Sequence, residues 1–270
     1  MAQRKQKAVA AYHDRIAHRY DHIYDDPYWR WHDSLTWGYL KPHLPVNQNS
    51  PVIDLGCGTG KWAIKIARSG YRVTCVDISA KMLDAVQRKA IESGIEDKIT
   101  CIQADLMDLS AVGEQSFELA VAFGEPLCST DQPLKALKAI RGKIRPDGLL
   151  TATVDNRLNG IDYFLDRSDI DGLDQFLKNG KTHWLTKASS DRFALHTFTP
   201  EQTTSLLLKA GFQPIELLGK TVLPMRKFRP LFADPALGQR LLAMERKLAR
   251  RPDAIGRAAH IQFLARNPGS

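Results

Sequence analysis

The sequence predicts an α/β fold built on a doubly wound, mostly parallel sheet, and three observations predict it. Short apolar runs recur between residues 52 and 154, each followed by a segment with helical periodicity. Strands that alternate with helices pair in parallel, because a crossover must carry the chain back across the sheet. A glycine-rich stretch, Asp54-Leu55-Gly56-Cys57-Gly58-Thr59-Gly60, joins the first run to the first helix. Finally, 270 residues that are 43% hydrophobic supply one large core.

The elements follow in order. Residues 3–40 place Val9, Tyr12, Ile16, Tyr20 and Ile23 on one helical stripe, and Pro42 and Pro45 break the pattern. Eight of the 12 Tyr and Trp residues lie between Tyr12 and Tyr39, so residues 1–45 read as an aromatic helical lid ahead of a main domain at 46–270. Val52 opens a strand that ends at Leu55, and residues 60–69 form a helix stopped by Gly70. A second strand covers 71–76, and Ser79 caps a helix that runs to Gly94. Further strands fall at 98–103, 117–123 and 149–154, with a helix at 131–145 before the last of them. Residues 155–198 show no alternation and are too long for a routine connection, which marks a substrate-side insertion, as does 221–258. Thr199, Pro200 and Gln202 spell a capping box for a helix that Gly211 ends. Strands at 212–220 and 259–266 flank a helix carrying Leu237, Leu241, Met244 and Leu248 on one stripe.

Charge and cysteine usage narrow the function classes. Net charge is +8, with 27 basic and 27 acidic side chains in residues 1–219 and 11 basic against three acidic ones in 220–270. The excess lies wholly in the last segment and reads first as a solvated face. The four cysteines form no CxxC pair, and no apolar run reaches 18 residues, so the expectation is a cytoplasmic protein with reduced thiols and no membrane partner. Oligomeric state is left open.

The glycine stretch carries the chemistry. A dinucleotide site requires GxGxxG, but here the third glycine arrives one residue early and Lys61 fills the dinucleotide position. Asp54 stands just before the glycines, where a carboxylate suits an ammonium better than a phosphate. Asp77 closes the second strand, 17 residues after Gly60, where it can accept from ribose hydroxyls, and Asp105 follows the third strand, where an adenine amino group can donate.

These segments resemble the class I S-adenosylmethionine-dependent methyltransferases. VIDLGCGTGKWAIKIA (52–67) looks like motif I, VTCVDISAKML (73–83) like motif II, CIQADLMDL (101–109) like motif III and FELAVAFGEPL (117–127) like motif IV. IRGKIRPDGLLTATV (140–154) and HTFTPEQTTSLLLKAGFQPIELL (196–218) resemble the helix, strands and turn that follow. The resemblance implies a seven-stranded sheet in the order 3-2-1-4-5-7-6 with the last strand antiparallel, and S-adenosyl-L-methionine as cofactor. It implies that Asp54, Gly56, Gly58 and Gly60 hold the methionine end, Asp77 the ribose, and Asp105 with Leu106 the adenine. Tyr20, Cys57, Ile78, Met82, Phe123 and Gly124 complete the expected cofactor set. No Asn/Asp-Pro-Pro-Tyr/Phe sequence follows the fourth strand, which argues against acceptors such as nucleobase amines.

A small-molecule acceptor is therefore expected. A positively charged sulfonium methyl is already activated, so its transfer needs positioning, exclusion of water and, for some acceptors, removal of a proton. Tyr20, Tyr24, Trp31 and Trp37 are the lid rings that can approach the sulfur. Glu125 follows Phe123-Gly124 at the fourth strand end and pairs most naturally with an amine-bearing acceptor, while His183 and His196 are candidate bases. His18 and His22 share a helical face, but no third ligand at a defined spacing completes a site, so no metal is expected. The alternatives are an RNA substrate on the basic tail, with Arg226, Lys227, Arg229, Phe228 and Phe232 supplying charge and rings, a reaction such as cyclisation that consumes the cofactor, or a protein that holds it without turnover.

Overall fold

A computed structural model describes residues 2–114, 116–183 and 192–269. Part of the 155–198 insertion, residues 184–191, lies outside the described residues. The chain opens with three helices, α1 (Ala2–Ile16), α2 (Tyr20–Ile23) and α3 (Pro27–Leu40). The alternating part follows as β1 (Val52–Leu55), α4 (Lys61–Arg68), β2 (Val73–Asp77), α5 (Ala80–Glu92), β3 (Ile99–Gln103), β4 (Phe117–Ala122), α6 (Pro126–Ser129), α7 (Pro133–Arg141) and β5 (Ile144–Asp155). Beyond it come α8 (Ile161–Leu165), α9 (Ile170–Asn179), a two-stranded ribbon of β6 (Lys181–Thr182) and β7 (Leu195–His196), α10 (Pro200–Lys209) and β8 (Gln213–Lys220). The chain closes with α11 (Pro235–Ala249), α12 (Pro252–Ile255) and β9 (His260–Arg266).

The main sheet runs β3-β2-β1-β4-β5-β9-β8. With the ribbon set aside, this is the expected order 3-2-1-4-5-7-6. The first five strands pair in parallel, and β9 pairs antiparallel with both β5 and β8. Helices cover both faces, so the central strands β1 and β2 are buried throughout, whereas edge strand β3 is only half-buried. Alternation along β1 sends Ile53 and Leu55 to one apolar core and Val52 to the other, where Trp62 and Ile66 of α4 meet it.

Local chemistry explains the element ends. Ser79 accepts from the Met82 N–H at the start of α5, and Thr199 with Gln202 closes the predicted capping box of α10. β5 begins at Ile144 instead of Leu149, because Ile144 already pairs with Phe117. The ladder register shifts between Phe117 and Leu119, and the Pro146-Asp147-Gly148 turn interrupts the period that sequence reading relies on.

The N-terminal segment divides in two. Tyr28, Trp31, Leu35 and Tyr39 of α3 form a buried cluster with Leu218, Met225 and Leu242, and Trp37 packs against the sheet core. In contrast, Tyr12, Tyr20, Tyr24 and Trp29 line the main cavity. Among the described residues, no helix is long and apolar enough to cross a membrane.

Candidate active site

The carboxyl edge of the sheet opens into a cavity of 630 Å³, bounded on the outside by the N-terminal helices. Its floor begins with the turn after β1. Gly56, Gly58 and Gly60 have φ of 66°, 53° and 82°, a region that side chains rarely adopt. A Cβ on Gly56 would lie 2.4 Å from Pro126 Cβ, and one on Gly60 would lie 3.0 Å from Val86, so the cradle depends on their absence. The Asp77 carboxylate accepts from the Gly58 N–H at 2.8 Å and the Ser79 N–H at 2.9 Å, which ties the loop to the end of β2. Asp105 after β3 accepts from the Gln6 side chain at 3.0 Å and from the Met107 N–H at 2.9 Å.

The structure brings Tyr20, Gly56, Cys57, Gly58, Asp77, Ile78, Asp105, Leu106, Phe123, Gly124 and Glu125 to the cavity wall. Asp54, Gly60, Met82, His183 and His196 are not on that wall. Asp54 lies 1% exposed beneath the loop with Oδ2 unpartnered, and burial drives its carboxyl up to about 7. Burial likewise pushes the Cys57 thiol up to about 12, so it stays protonated. His196 lines a separate hollow of 240 Å³ beside Arg157 and Lys209.

Two further acidic residues fasten the N-terminal helices over this end. Asp14 of α1 accepts from Ser79 Oγ at 2.6 Å. Asp21 accepts from Thr59 Oγ1 at 2.6 Å and pairs with Lys89 at 2.5 Å.

The opposite end of the cavity is a buried polar cluster. Glu125 adopts a left-handed φ of 59°, uncommon for a residue with a side chain. Its N–H and that of Gly124 both donate to Thr153 Oγ1, at 3.4 and 3.1 Å, and hold the turn. Asp155, His260 and Lys220 occupy one row across the sheet: the last residue of β5 pairs with the first of β9, which pairs with the last of β8. His260 Nε2 lies 3.9 Å from both Glu125 Oε2 and Asp155 Oδ1. His32 of α3 meets His260 edge to face at 5.5 Å, and Lys220 donates to Thr36 Oγ1 at 3.3 Å.

Electrostatics sort these groups. Burial pushes His260 down to about 3 and His32 down to about 4, so both rings are neutral. Burial alone would raise Glu125, yet the charge of Lys220 and the Thr153 hydroxyl hold that carboxyl below its ordinary value. Burial and the charge of Glu125 then drive Asp155 well above the usual carboxylate range.

Sequence reading missed His260, Lys220, Asp155 and His32. A signal existed for the first three. Because β9 runs against its neighbours, its first residue falls on the same edge as the last residues of β5 and β8. His32 carried no such signal, since its helix lies outside the sheet.

Comparison with known proteins fits this geometry. Residues 52–148 match a family described as a methyltransferase domain. The ubiquinone biosynthesis O-methyltransferase of Dinoroseobacter shibae is 30% identical over 193 residues, covering 72% of this chain and 69% of that protein. The chain belongs to the class I S-adenosylmethionine-dependent methyltransferases. The tRNA 5-carboxymethoxyuridine methyltransferase of Escherichia coli is 26% identical over 227 residues, 83% of this chain and 82% of the relative. The chain spans only 36% of a longer Synechococcus relative. Among solved structures, an S-adenosylmethionine-dependent methyltransferase from Mesorhizobium loti aligns with a TM-score of 0.57 at 21% identity, covering 85% of this chain and 96% of that one. The [4+2]-cyclase SpnF also aligns at 0.57 and 21%, covering 88% and 81%, a likeness of fold.

The residues of the methyltransferase fit S-adenosylmethionine. The side-chain-free cradle leaves room for the methionine end with the orphaned Asp54 oxygen buried beneath it, and the carboxylates of Asp77 and Asp105 on the cavity wall offer acceptors for the hydroxyl and amino donors of that molecule.

Proposed function

We propose that this methyltransferase acts on a small molecule, with the acceptor seated between Glu125, Asp155, His260 and Lys220. The observation that supports this most directly is the continuity of the cavity: one 630 Å³ space joins the Asp77 and Asp105 walls to that buried cluster. In this reading Gly56, Cys57, Gly58 and Gly60 form the bed of the methionine end, with Asp54 behind them. Asp77 and Ile78 shape the ribose side with Met82 buried away from the wall, Asp105 and Leu106 the adenine side, and Tyr20, Phe123 and Gly124 the wall around the sulfur. Bound there, S-adenosylmethionine supplies an electrophilic methyl group.

The chain then has three tasks. The walls of Tyr20, Tyr24, Trp29 and Phe123 exclude water. The loop at Gly124 and Glu125 fixes the approach of the acceptor to the methyl. The Glu125–Asp155 pair takes the proton that an oxygen or nitrogen acceptor gives up. His260 stays neutral and orients that pair. His183 and His196, both away from the cavity, have no part in the transfer.

A second reading, an RNA acceptor, draws on the tRNA-modifying relative and on the basic excess of residues 220–270. Incubation with methyl-labelled cofactor and separated cell fractions decides between them. Label in a small molecule other than the cofactor or methylthioadenosine supports the proposal, and label confined to RNA favours the second reading. Cofactor consumed with the label left on methylthioadenosine points to cyclisation.

A further inference from the structure

The acceptor end holds polar atoms that the protein leaves without partners. Glu125 Oε1, His32 Nε2 and His260 Nδ1 are buried and unpaired. Lys220 is 1% exposed, yet its ammonium makes only the 3.3 Å bond to Thr36 and no ion pair among the described residues. A buried cation with unused donors is costly unless something else satisfies it. Arg226 stands at the mouth of the same cavity, its guanidinium 5.1 Å from the Trp29 ring centroid and 5.7 Å from that of Tyr28, again with no ion pair among the described residues.

We propose that Lys220 and Arg226 bind a carboxylate on the acceptor, which makes the substrate a small organic acid. This inference rests on the methyl-transfer reading above and names the substrate class for that site. Unpaired cations lead to it. Lys61 is paired with Asp33 at 2.7 Å, whereas Lys220 and Arg226 line the same cavity with no ion pair among the described residues. A cationic acceptor would leave both without a partner, with a sulfonium beside it. An anionic acceptor supplies the missing partner. Lys220 offers a point charge, and Arg226, held over two rings, offers a planar fork that matches a carboxylate. The rings of Tyr24, Trp29 and Tyr163 flank the space between and suit an apolar or aromatic body.

The test is calorimetry on the full chain saturated with S-adenosylhomocysteine, with benzoate as probe and benzamide and benzylamine as neutral and cationic counterparts. Benzoate is expected to bind at least tenfold more tightly than either. Lys220→Met and Arg226→Gln are each expected to weaken benzoate at least fivefold while the S-adenosylhomocysteine Kd moves less than twofold. Melting curves accompany both variants, and if Lys220→Met does not fold, the rim substitution Arg226→Gln carries the comparison. Benzylamine or benzamide binding as well as benzoate, or unchanged benzoate affinity in a folded variant, overturns the proposal and leaves the cofactor site intact. Failure of S-adenosylhomocysteine to bind the unmodified protein would instead remove the underlying reading, and this inference with it.

Discussion

The two ends of the cavity are assembled in different ways. The cofactor end comes from consecutive strand ends, with Gly56, Asp77 and Asp105 each following the next strand in the chain. The acceptor end draws His32 from α3, Glu125 from the turn after β4, Asp155 from β5, Lys220 from β8 and His260 from β9. One end is written as a run of motifs, and the other exists only once β9 has inserted between β5 and β8. The N-terminal helices serve both: α1 and α2 fasten onto Ser79 and Thr59, while α3 supplies His32 and the Thr36 partner of Lys220.

That division gives the largest expected effect. Deleting residues 2–24 should leave a cooperatively folding protein that has lost activity, because α1 and α2 cover the cavity more than they build the core. Deleting 2–40 should abolish cooperative melting, since Tyr28, Trp31, Leu35 and Leu40 are buried. Leu35→Ala alone should cost about 2–5 kcal/mol in denaturant unfolding. A deletion of 2–40 that melted as sharply as the intact chain would make α3 a dispensable cover like α1.

At the cofactor end, Asp77→Ala should weaken S-adenosylhomocysteine binding by about tenfold to a hundredfold, which corresponds to ~1.5–3 kcal/mol for hydrogen bonds to a charged group. Some stability should go with it, because the same carboxylate holds the N–H groups of Gly58 and Ser79. Titration calorimetry and a melting curve on one sample separate the two losses. An unchanged Kd would reduce Asp77 to a brace for the loop.

How far the sequence could be read follows the same line. The strand order was legible because apolar runs alternate with capped helices, and the carboxylates at Asp77 and Asp105 were legible because a parallel sheet exposes its strand ends. Glu125 was visible for the same reason. Its pairing with an amine acceptor was read without the neighbours that face it, since Lys220 and His260 arrive from β8 and β9. The aromatic segment misled in part: spacing shows a helical stripe but not what it faces, and Trp31 proved to be core whereas Tyr20 reached the cavity. His183 and His196 drew attention only as titratable residues flanking an irregular stretch.

Glu125→Gln sharpens the contrast between the ends. Turnover should fall at least tenfold, about 1.4 kcal/mol of transition-state stabilisation, while S-adenosylhomocysteine affinity stays nearly constant. Equal losses in both measurements would move Glu125 to the cofactor end, and full turnover would remove it from the reaction.

The smallest effect concerns pH, where the two ends should respond with opposite sign. Asp54, at the cofactor end, is raised from 3.8 to about 7 in the folded protein. Its contribution to stability is full below the unfolded value and is lost as pH rises through about 7. His32 and His260, at the acceptor end, are lowered from 6.5 to about 4 and about 3. Their contribution is present above 6.5 and is lost as pH falls toward those values. Between pH 5.5 and 6.5 the unfolded chain has ionised Asp54 and partly protonated histidines, so the opposing slopes partly cancel in the intact protein. Single substitutions should tilt the balance in opposite directions. Asp54→Asn removes the loss on raising pH, and its melting temperature should climb more steeply from pH 5.5 to 6.5 than that of the unmodified chain, by roughly a few degrees for a protein of this size. His260→Gln removes one histidine and should flatten the same climb. Thermal melts of the three proteins at the two pH values are sufficient, and identical slopes in all three would mean that these buried groups are reached by water and titrate as they do in the unfolded chain.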